Sequence, residues 1–598
     1  MDERQELAET LWRDKYRAEG EACIEDSWTR VAHAIAGAET ADVRAHWTAA
    51  FRELLADYRF LPGGRILANA GRRGVQTLFN CFVMDRVEDS MPGIFRVLGE
   101  SALTMQQGGG IGVDFSTLRP AGAPASRTGG RASGPVSFMH VWESMCATLL
   151  ETSSRRGAMM ATLRCDHPDI GAFIDAKQRP EDLVHFNLSV LVSDAFMQAV
   201  RAGESWPLVF PDPGHRWPGH ARVPRRWPGF GSPVDCAVLD EVPARALWER
   251  LMRASYESSE PGVLFIDRIN AENNLTVLEQ ISATNPCGEI PLPPNGACCL
   301  GSLNLTRYVR EPFTSRAHLA LEELEAAVPV AVRFLDNVID VSPYPLAAQR
   351  DVAQSTRRIG LGVTGLADAL IMLNECYDNP AACALAARVM TLVRDAAYHA
   401  SVEIAREKAP FPRCRAARLG ERAFVHRLPA EIRQAIETHG LRNSHLLAIA
   451  PAGSISLLAG NVSSGIEPVY AVRGGRRVRD AGGTIRTWNV QDYAVAWWRE
   501  HEDANTLPPA CVTAEEIAPE AHIDMQAALQ DLVDNAISKT VNVPTDIPFD
   551  AYRSVYEYAF DAGTKGCTTY RPGGMREHVL SREDSLATCC GVNLAPEE

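Results

Sequence analysis

The sequence predicts an α/β fold, on two observations. Segments of strand-type periodicity alternate with segments of helical periodicity along most of the chain. The composition is that of an ordinary globular protein, with 46% hydrophobic, 7% aromatic and 23% charged residues. A chain of 598 residues with that composition can bury a large core, as several domains or as one elaborated domain.

Residues 1 to about 60 read as helical. After Thr40, a candidate N-cap, Trp47, Phe51, Leu54, Leu55 and Tyr58 fall on one face. Pro62-Gly63-Gly64 ends the region. Leu183 to Val192 reads as a strand, with Phe186, Leu188 and Val190 on one side and His185, Asn187 and Ser189 on the other. Ser193 then caps a short helix. Gly262 to Ile266 is a strand of the fully buried type. Leu319 to Val341 reads as a long amphipathic helix with a kink at Pro329. There is no internal repeat and no low-complexity tract.

The net charge of −15 argues against broad binding to nucleic acid or to acidic membranes. A phosphorylated ligand therefore needs a local site of backbone N–H groups and hydroxyls. Pro211 to Gly231 carries Arg216, Arg222, Arg225 and Arg226 with Trp217 and Trp227, a mixture that can bind single strands. In an acidic chain without a basic track it reads instead as a loop insertion whose rings pack on the body. The charged, helical opening MDERQELAET is no secretory signal, so a cytoplasmic chain is expected. Leu446 to Ile466 is apolar, but Pro451, several glycines, Ser454, Ser456 and Asn461 break it, so no membrane span is expected.

Fifteen cysteines without a signal peptide are no secreted disulfide framework. CxxC and HExxH are both absent, so no metal site is expected. Cys23, Cys146, Cys236, Cys376, Cys383, Cys414 and Cys511 read as small buried hydrophobes. Asn285-Pro286-Cys287-Gly288-Glu289 reads differently. In an extended segment, residues two apart share a face, so an amide, a thiol and a carboxylate would point into one site. That is a hydrogen-atom acceptor, a general base and an orienting group. By itself NxCxE is a weak pattern.

It stands in a series. Leu78-Phe79-Asn80-Cys81-Phe82-Val83 lies upstream, and Ala297-Cys298-Cys299-Leu300-Gly301-Ser302 follows eleven residues after Cys287. Then come Arg358-Ile359-Gly360-Leu361-Gly362, Pro451-Ala452-Gly453-Ser454-Ile455-Ser456, Ser464-Gly465-Ile466-Glu467-Pro468, Ile537-Ser538-Lys539-Thr540 and Lys565-Gly566-Cys567-Thr568-Thr569-Tyr570. In this order and spacing, from about residue 55 to 575, the chain resembles the class II, cobalamin-dependent ribonucleotide reductases, in their dimeric diphosphate branch.

The resemblance implies a ten-stranded α/β barrel with the radical cysteine on an internal loop. It divides the chain into an N-terminal helical region (1–60), a catalytic barrel (61–575) and a tail (576–598). It implies that Cys287 becomes the thiyl radical, that Glu289 takes the 3′-hydroxyl proton and that Asn285 holds the substrate hydroxyls. Cys81 and Cys298 would supply two electrons and become a disulfide, with Cys299 the alternative to Cys298. The cofactor implied is adenosylcobalamin, which supplies a radical, while the protein supplies positioning and a water-poor chamber.

Pro451, Gly453, Ser454 and Ser456 lie on a turn suited to a diphosphate, through backbone N–H groups and hydroxyls. Arg119 to Ser133, with Arg127, and Thr152 to Met159, with Arg155 and Arg156, are similar to the family's loops for a deoxynucleoside triphosphate effector. Asp89 matches a residue that contacts the effector sugar. The tail pair Cys589 and Cys590 stands where relatives carry a CxxC shuttle; here the cysteines are adjacent, and either a shuttle or an inert tail fits. The implied partners are ribonucleoside diphosphates, dNTP effectors, a thioredoxin- or glutaredoxin-like reductant and a second copy in a homodimer.

Two other readings compete. A class I large subunit, which needs a metal-radical partner, carries two consecutive tyrosines near its C-terminus; this chain has Tyr570 alone, after Thr568-Thr569. A nicotinamide-dependent dehydrogenase would use Gly360-Leu361-Gly362-Val363-Thr364-Gly365, which fits GxGxxG. The approach to it, Asp351 to Arg358, is polar and charged, without the strand-like run that fingerprint requires, and the glycines read as sites of close helix packing. With only about 60 residues before the barrel, the usual ATP-cone is not expected.

Overall fold

The computed structural model describes residues 3–573, apart from residues 73, 75, 125–129, 153–157, 180 and 480–484. Ten strands make its main sheet: β1 (Phe60–Pro62), β2 (Cys81–Val83), β3 (Gly110–Asp114), β4 (Met159–Arg164), β5 (Phe186–Val192), β6 (Gly262–Phe265), β7 (Ala297–Asn304), β8 (Ile359–Thr364), β9 (Thr540–Asn542) and β10 (Gly566–Tyr570). Their order is β1-β7-β2-β3-β4-β5-β6-β10-β9, with β8 also paired to β7.

From β2 to β6 every pairing is parallel. The pairs β7·β8 and β9·β10 are also parallel, but this half meets the first through antiparallel ladders, β7 on β2 and β10 on β6. Parallel bridges from Leu361 to Leu447 and from Ile449 to Ile537 join the remaining edges. Segment 446–449 thus completes a ring of two five-stranded halves, and β1 lies outside it on β7. The expected ten-stranded α/β barrel is borne out. Such strands are covered on both sides, which is why β8 is buried along its whole length.

Local expectations fared unevenly. β5 starts at Phe186 rather than Leu183, because Leu183 adopts a left-handed backbone with φ of 48°. Ser193 does cap the following helix, Asp194–Ala202, its hydroxyl accepting from the Phe196 N–H at 3.2 Å. Thr40 is not an N-cap. The helix Arg44–Leu55 begins after Val43, and it is the Thr40 carbonyl that accepts from Val43 N and Arg44 N. Phe51 of that helix is buried edge-on against Phe334 of the helix Leu321–Val341, which contains Pro329. The Arg333 guanidinium lies over Trp47 and donates to Glu39 at 2.8 Å, which ties the helical region to the barrel.

The GxGxxG segment is β8 itself. A Cβ at Gly362 would stand 2.2 Å from the Ala448 carbonyl oxygen, so the glycine permits close strand packing, not the helix packing expected. Part of the 211–231 segment forms a strand, Arg222–Arg225, in a three-stranded sheet. Two of its arginines are in ion pairs, Arg222 with Asp212 at 2.7 Å and Arg225 with Asp166 at 3.5 Å, while Trp227 is buried under Arg164. Among the described residues no helix is long and apolar enough to cross a membrane.

Candidate active site

A narrow hairpin, Ala283–Thr284 paired with Pro291–Leu292, runs through the barrel and carries the NxCxE segment at its tip. Its path is set by small residues on β3. A Cβ at Gly112 would lie 1.9 Å from the Thr284 carbonyl oxygen, and one at Gly110 would lie 3.2 Å from Pro286 Cγ. The hairpin's other side packs Ile290 against Leu292, Cys298 and Ala448. Asn187 of β5 donates to the Pro286 carbonyl at 2.9 Å and holds the tip.

The tip is a turn, closed by Gly288 N–H on the Asn285 carbonyl at 3.1 Å, not the extended segment expected. Asn285 and Glu289 are each 1% exposed and gather around Cys81, whereas Cys287 is half-buried and opens to a cleft. The Asn285 side-chain oxygen accepts from Ile290 N at 3.0 Å and from the Thr284 hydroxyl at 3.1 Å. That leaves its amide to donate to Cys81 Sγ at 3.3 Å. The Cys81 thiol in turn faces Glu289 Oε1 at 3.9 Å.

Glu289 Oε2 is buried and accepts no hydrogen bond from the described residues. Burial pushes the Glu289 carboxyl up to about 7, against the smaller opposing pull of Asn285, its own backbone and Cys81. A carboxyl poised there gains and loses a proton near neutral pH.

Cys81 on β2 and Cys298 on β7 are register partners in an antiparallel ladder. Side chains alternate along a strand, so Cys299 faces the other way, toward the Leu335 carbonyl at 3.4 Å. Geometry therefore brings Cys298, not Cys299, to Cys81. Burial pushes both the Cys298 and the Cys299 thiols far above the ordinary range.

Cys287 lines a cleft of about 950 Å³, its open mouth included. Its polar lining includes Asn187, Ser189, Ser538, Lys539, Thr540 and Thr568, with Glu260 and Lys565 also at the wall. None of these was singled out as a site residue from sequence, although the polar side of β5 was visible as Asn187 and Ser189. Lys539 is pinned by Glu467 at 2.8 Å.

Gly453 to Leu458 is a short helix rather than the expected turn. Ser454 Oγ accepts from the Tyr16 hydroxyl at 3.0 Å, Ser456 is buried and Pro451 is half-buried. The Asp89 carboxylate is held by Arg119 Nε at 2.8 and 2.9 Å. Arg127, Arg155, Arg156, Cys589 and Cys590 lie outside the described residues.

Comparison with known proteins agrees with this architecture. The family model for the ribonucleotide reductase barrel domain matches residues 79–570, and that for the ribonucleotide reductase all-alpha domain matches residues 2–74. A vitamin B12-dependent ribonucleoside-diphosphate reductase of Mycobacterium tuberculosis (strain CDC 1551 / Oshkosh) is 38% identical over 562 residues, which span 90% of this chain and 73% of the relative. One of the same name from Thermoplasma acidophilum is 33% identical, over 90% of this chain and 66% of its own length. A ribonucleoside-diphosphate reductase subunit alpha of Chlamydia muridarum is 28% identical, over 74% of this chain and 45% of its own. The barrel with its threaded cysteine hairpin, and a family match over most of its length, show that the chain belongs to the ribonucleotide reductases.

Proposed function

We propose that this chain is a vitamin B12-dependent ribonucleoside-diphosphate reductase, which replaces the 2′-hydroxyl of a ribonucleoside diphosphate with hydrogen. One observation carries the reading. The hairpin tip presents Cys287 to a cleft, while Asn285 and Glu289 at the same tip gather on Cys81, which is paired with Cys298.

Adenosylcobalamin is the cofactor of this reading, and the cleft suits it. The hydroxyls and amides of Asn187, Ser189, Ser538, Thr540 and Thr568 match an adenosyl ribose and neutral amide side chains. A Cβ at Gly288 would meet nothing within 4 Å, so the space beside Cys287 is open. When bound, the cofactor supplies a radical by cobalt–carbon homolysis.

The residues of the chain do the rest. Cys287, as a thiyl radical, removes the 3′ hydrogen of the ribose and returns it at the end. Glu289 takes the 3′-hydroxyl proton, a task for which a carboxyl near 7 is suited. Asn285, held by Ile290 and Thr284, orients the substrate hydroxyls. Cys81 and Cys298 give up two protons and two electrons as the 2′-hydroxyl leaves as water, and join as a disulfide. The cleft in front of Cys287, filled by cofactor and substrate together, keeps water from the radical.

The first-turn N–H groups of Gly453 and Ser454, next to Pro451, and the hydroxyls of Ser454 and Ser456 take the diphosphate. Asp89, Arg119, Arg127, Arg155 and Arg156 belong to a dNTP effector site. A thioredoxin- or glutaredoxin-like dithiol restores the pair, directly or through Cys589 and Cys590 in the tail, 576–598. Residues 61–575 carry the chemistry and 1–60 brace it. The protein acts as a homodimer, and in the cytoplasm, where free thiols persist. The exposed stripe Met91, Phe95 and Leu103 on the helix Met91–Gln106 supports pairing with a second copy.

The test is anaerobic formation of dCDP from CDP with adenosylcobalamin, a dithiol and a dNTP. Turnover that requires the cofactor and disappears in Cys287→Ala is expected. Folded protein that binds cobalamin but reduces no nucleotide would refute the reading.

A further inference from the structure

Reduction of a protein disulfide has a direction. A reductant thiolate attacks one sulfur and the other leaves as a thiolate, faster when that thiolate is better stabilised. In the Cys81–Cys298 pair the two sulfurs differ. Cys81 lies among the polar groups of Asn285 and Glu289, whereas Cys298 is fully buried in an apolar cluster with Val83, Ile290 and Ala448. Cys81 is therefore the sulfur to attack, and Cys298 the one that must carry charge in an apolar setting. Burial alone makes that thiolate costly.

One cation stands beside it. Cys299 of β7 pairs in parallel with Ile359 of β8. One step back along both strands sets Cys298 alongside Arg358, on the same face of the sheet. Cys81, Cys298 and Arg358 thus form a row across three neighbouring strands. Arg358 is 2% exposed; its guanidinium donates to Glu279 Oε1 at 2.5 Å and to His445 Nδ1 at 3.1 Å. Burial and the neighbouring Arg358 hold the His445 imidazole well below its usual range, so it stays neutral and accepts. A buried ion pair is poor evidence of a stabilising role, because desolvation offsets its attraction. Its place next to a thiol that must ionise gives it another use. Arg358 is also the strongest influence opposing the upward shift of the Cys298 thiol.

We propose that Arg358 is a positioning residue for the redox pair, whose buried guanidinium stabilises the Cys298 thiolate as it leaves during disulfide reduction. The inference rests on the proposed reductase reading. The step balances. A dithiol's thiolate bonds to Cys81 Sγ, the Cys81–Cys298 bond breaks, and Cys298 leaves as a thiolate and takes a proton. The dithiol's second sulfur then displaces Cys81, so the dithiol is oxidised and the pair reduced by two electrons.

The experiment oxidises the pair in the full-length chain with diamide and follows reduction by dithiothreitol through thiol trapping and peptide mass. Arg358→Gln is expected to slow reduction on the order of five- to tenfold, and Arg358→Lys to restore most of the rate. Glu279→Gln, which leaves the cation uncompensated, is expected to speed it. Reduction of Arg358→Gln at the wild-type rate, or equal slowing by both neutralising variants, would overturn the proposal, since a structural role would slow both. If Arg358→Gln does not fold, a Glu279→Gln rate no faster than wild type overturns it. A dCDP burst from the prereduced wild-type chain tests the reductase reading separately, because the exchange assay needs no nucleotide or cofactor.

Discussion

Cys298 stands directly across the β7–β2 ladder from Cys81, and both are buried. Opposite residues in an antiparallel pair have Cα atoms about 4.5–5.5 Å apart, inside the span of roughly 4.4–6.8 Å that a disulfide bridges. A prereduced chain carrying Cys589→Ser and Cys590→Ser, given no external dithiol, is therefore expected to make one deoxynucleotide per subunit and stop. Peptide mapping should then find Cys81 joined to Cys298, with Cys299 still alkylatable after unfolding. Cys298→Ser should abolish the burst, and Cys299→Ser should keep it within about twofold, because Cys299 faces the Leu335 carbonyl. A Cys81–Cys299 link would show that the strand turns over during catalysis.

Glu289 gives a second test, with opposite signs for activity and stability. Burial holds its carboxyl near 7. The ionised form is the base, so the rate of the chemical step is expected to rise with pH through about 7 and then level off. Folding favours the protonated form. That contribution to stability is complete below the ordinary carboxylate range and is lost as pH rises through about 7. Glu289→Gln should therefore lose on the order of a hundredfold or more in turnover. It should also be more stable than wild type at pH 8, by up to about 3 kcal/mol, with the gap closing at acid pH. Denaturation at the two pH values decides it, and a variant less stable at both would refute the buried-carboxylate account.

What the sequence revealed depended on range. The Ser193 cap and the alternation of β5 were legible because a hydroxyl three residues from its N–H and a two-residue period are local. Thr40 misled because a cap is defined by where the helix starts, and tertiary packing moved that start to Arg44. The cysteines were legible as a set, but the pairing of Cys298 rather than Cys299 needed the β2–β7 register, a contact more than 200 residues apart in sequence. Segment 446–449 escaped because it closes the ring through isolated bridges without a strand's full ladder. Arg358 was legible only as the first residue of a motif; arginine is seldom buried without a partner, and its partner Glu279 lies 79 residues away.

The hairpin's path predicates a third test on β3. A methyl group at Gly112 would require the Thr284 carbonyl, 1.9 Å from the ideal Cβ, to move. Overpacking of this kind costs about 1–3 kcal/mol. The larger effect should be on rate, since displacing a reacting group by about 1 Å loses on the order of a hundredfold. Gly112→Ala is expected to fold, melt a few degrees lower and lose most turnover while still binding cobalamin. Gly37→Ala, at a residue without a left-handed backbone and with nothing within 4 Å of its ideal Cβ, is the control for a general effect of removing a glycine. Full activity in Gly112→Ala would mean that the hairpin is not held against β3.

The apolar stripe on the helix Met91–Gln106 supplies the last test. Met91, Phe95 and Leu103 are 56%, 50% and 51% exposed, and their spacings of four and eight residues put them on one face. Large exposed apolar side chains in a row are costly in water unless covered, and a twofold dimer would cover the stripe of each copy with that of the other. Met91→Glu with Leu103→Glu would place like charges across such an interface. Light scattering after size exclusion is expected to find wild type at twice the mass of one chain and the double variant at one. Asp89, held by Arg119, lies two residues before this helix, so the variant should also lose its response to a dNTP while keeping basal turnover. A wild-type chain that is monomeric at tens of micromolar with a full effector response would show that the stripe serves another purpose.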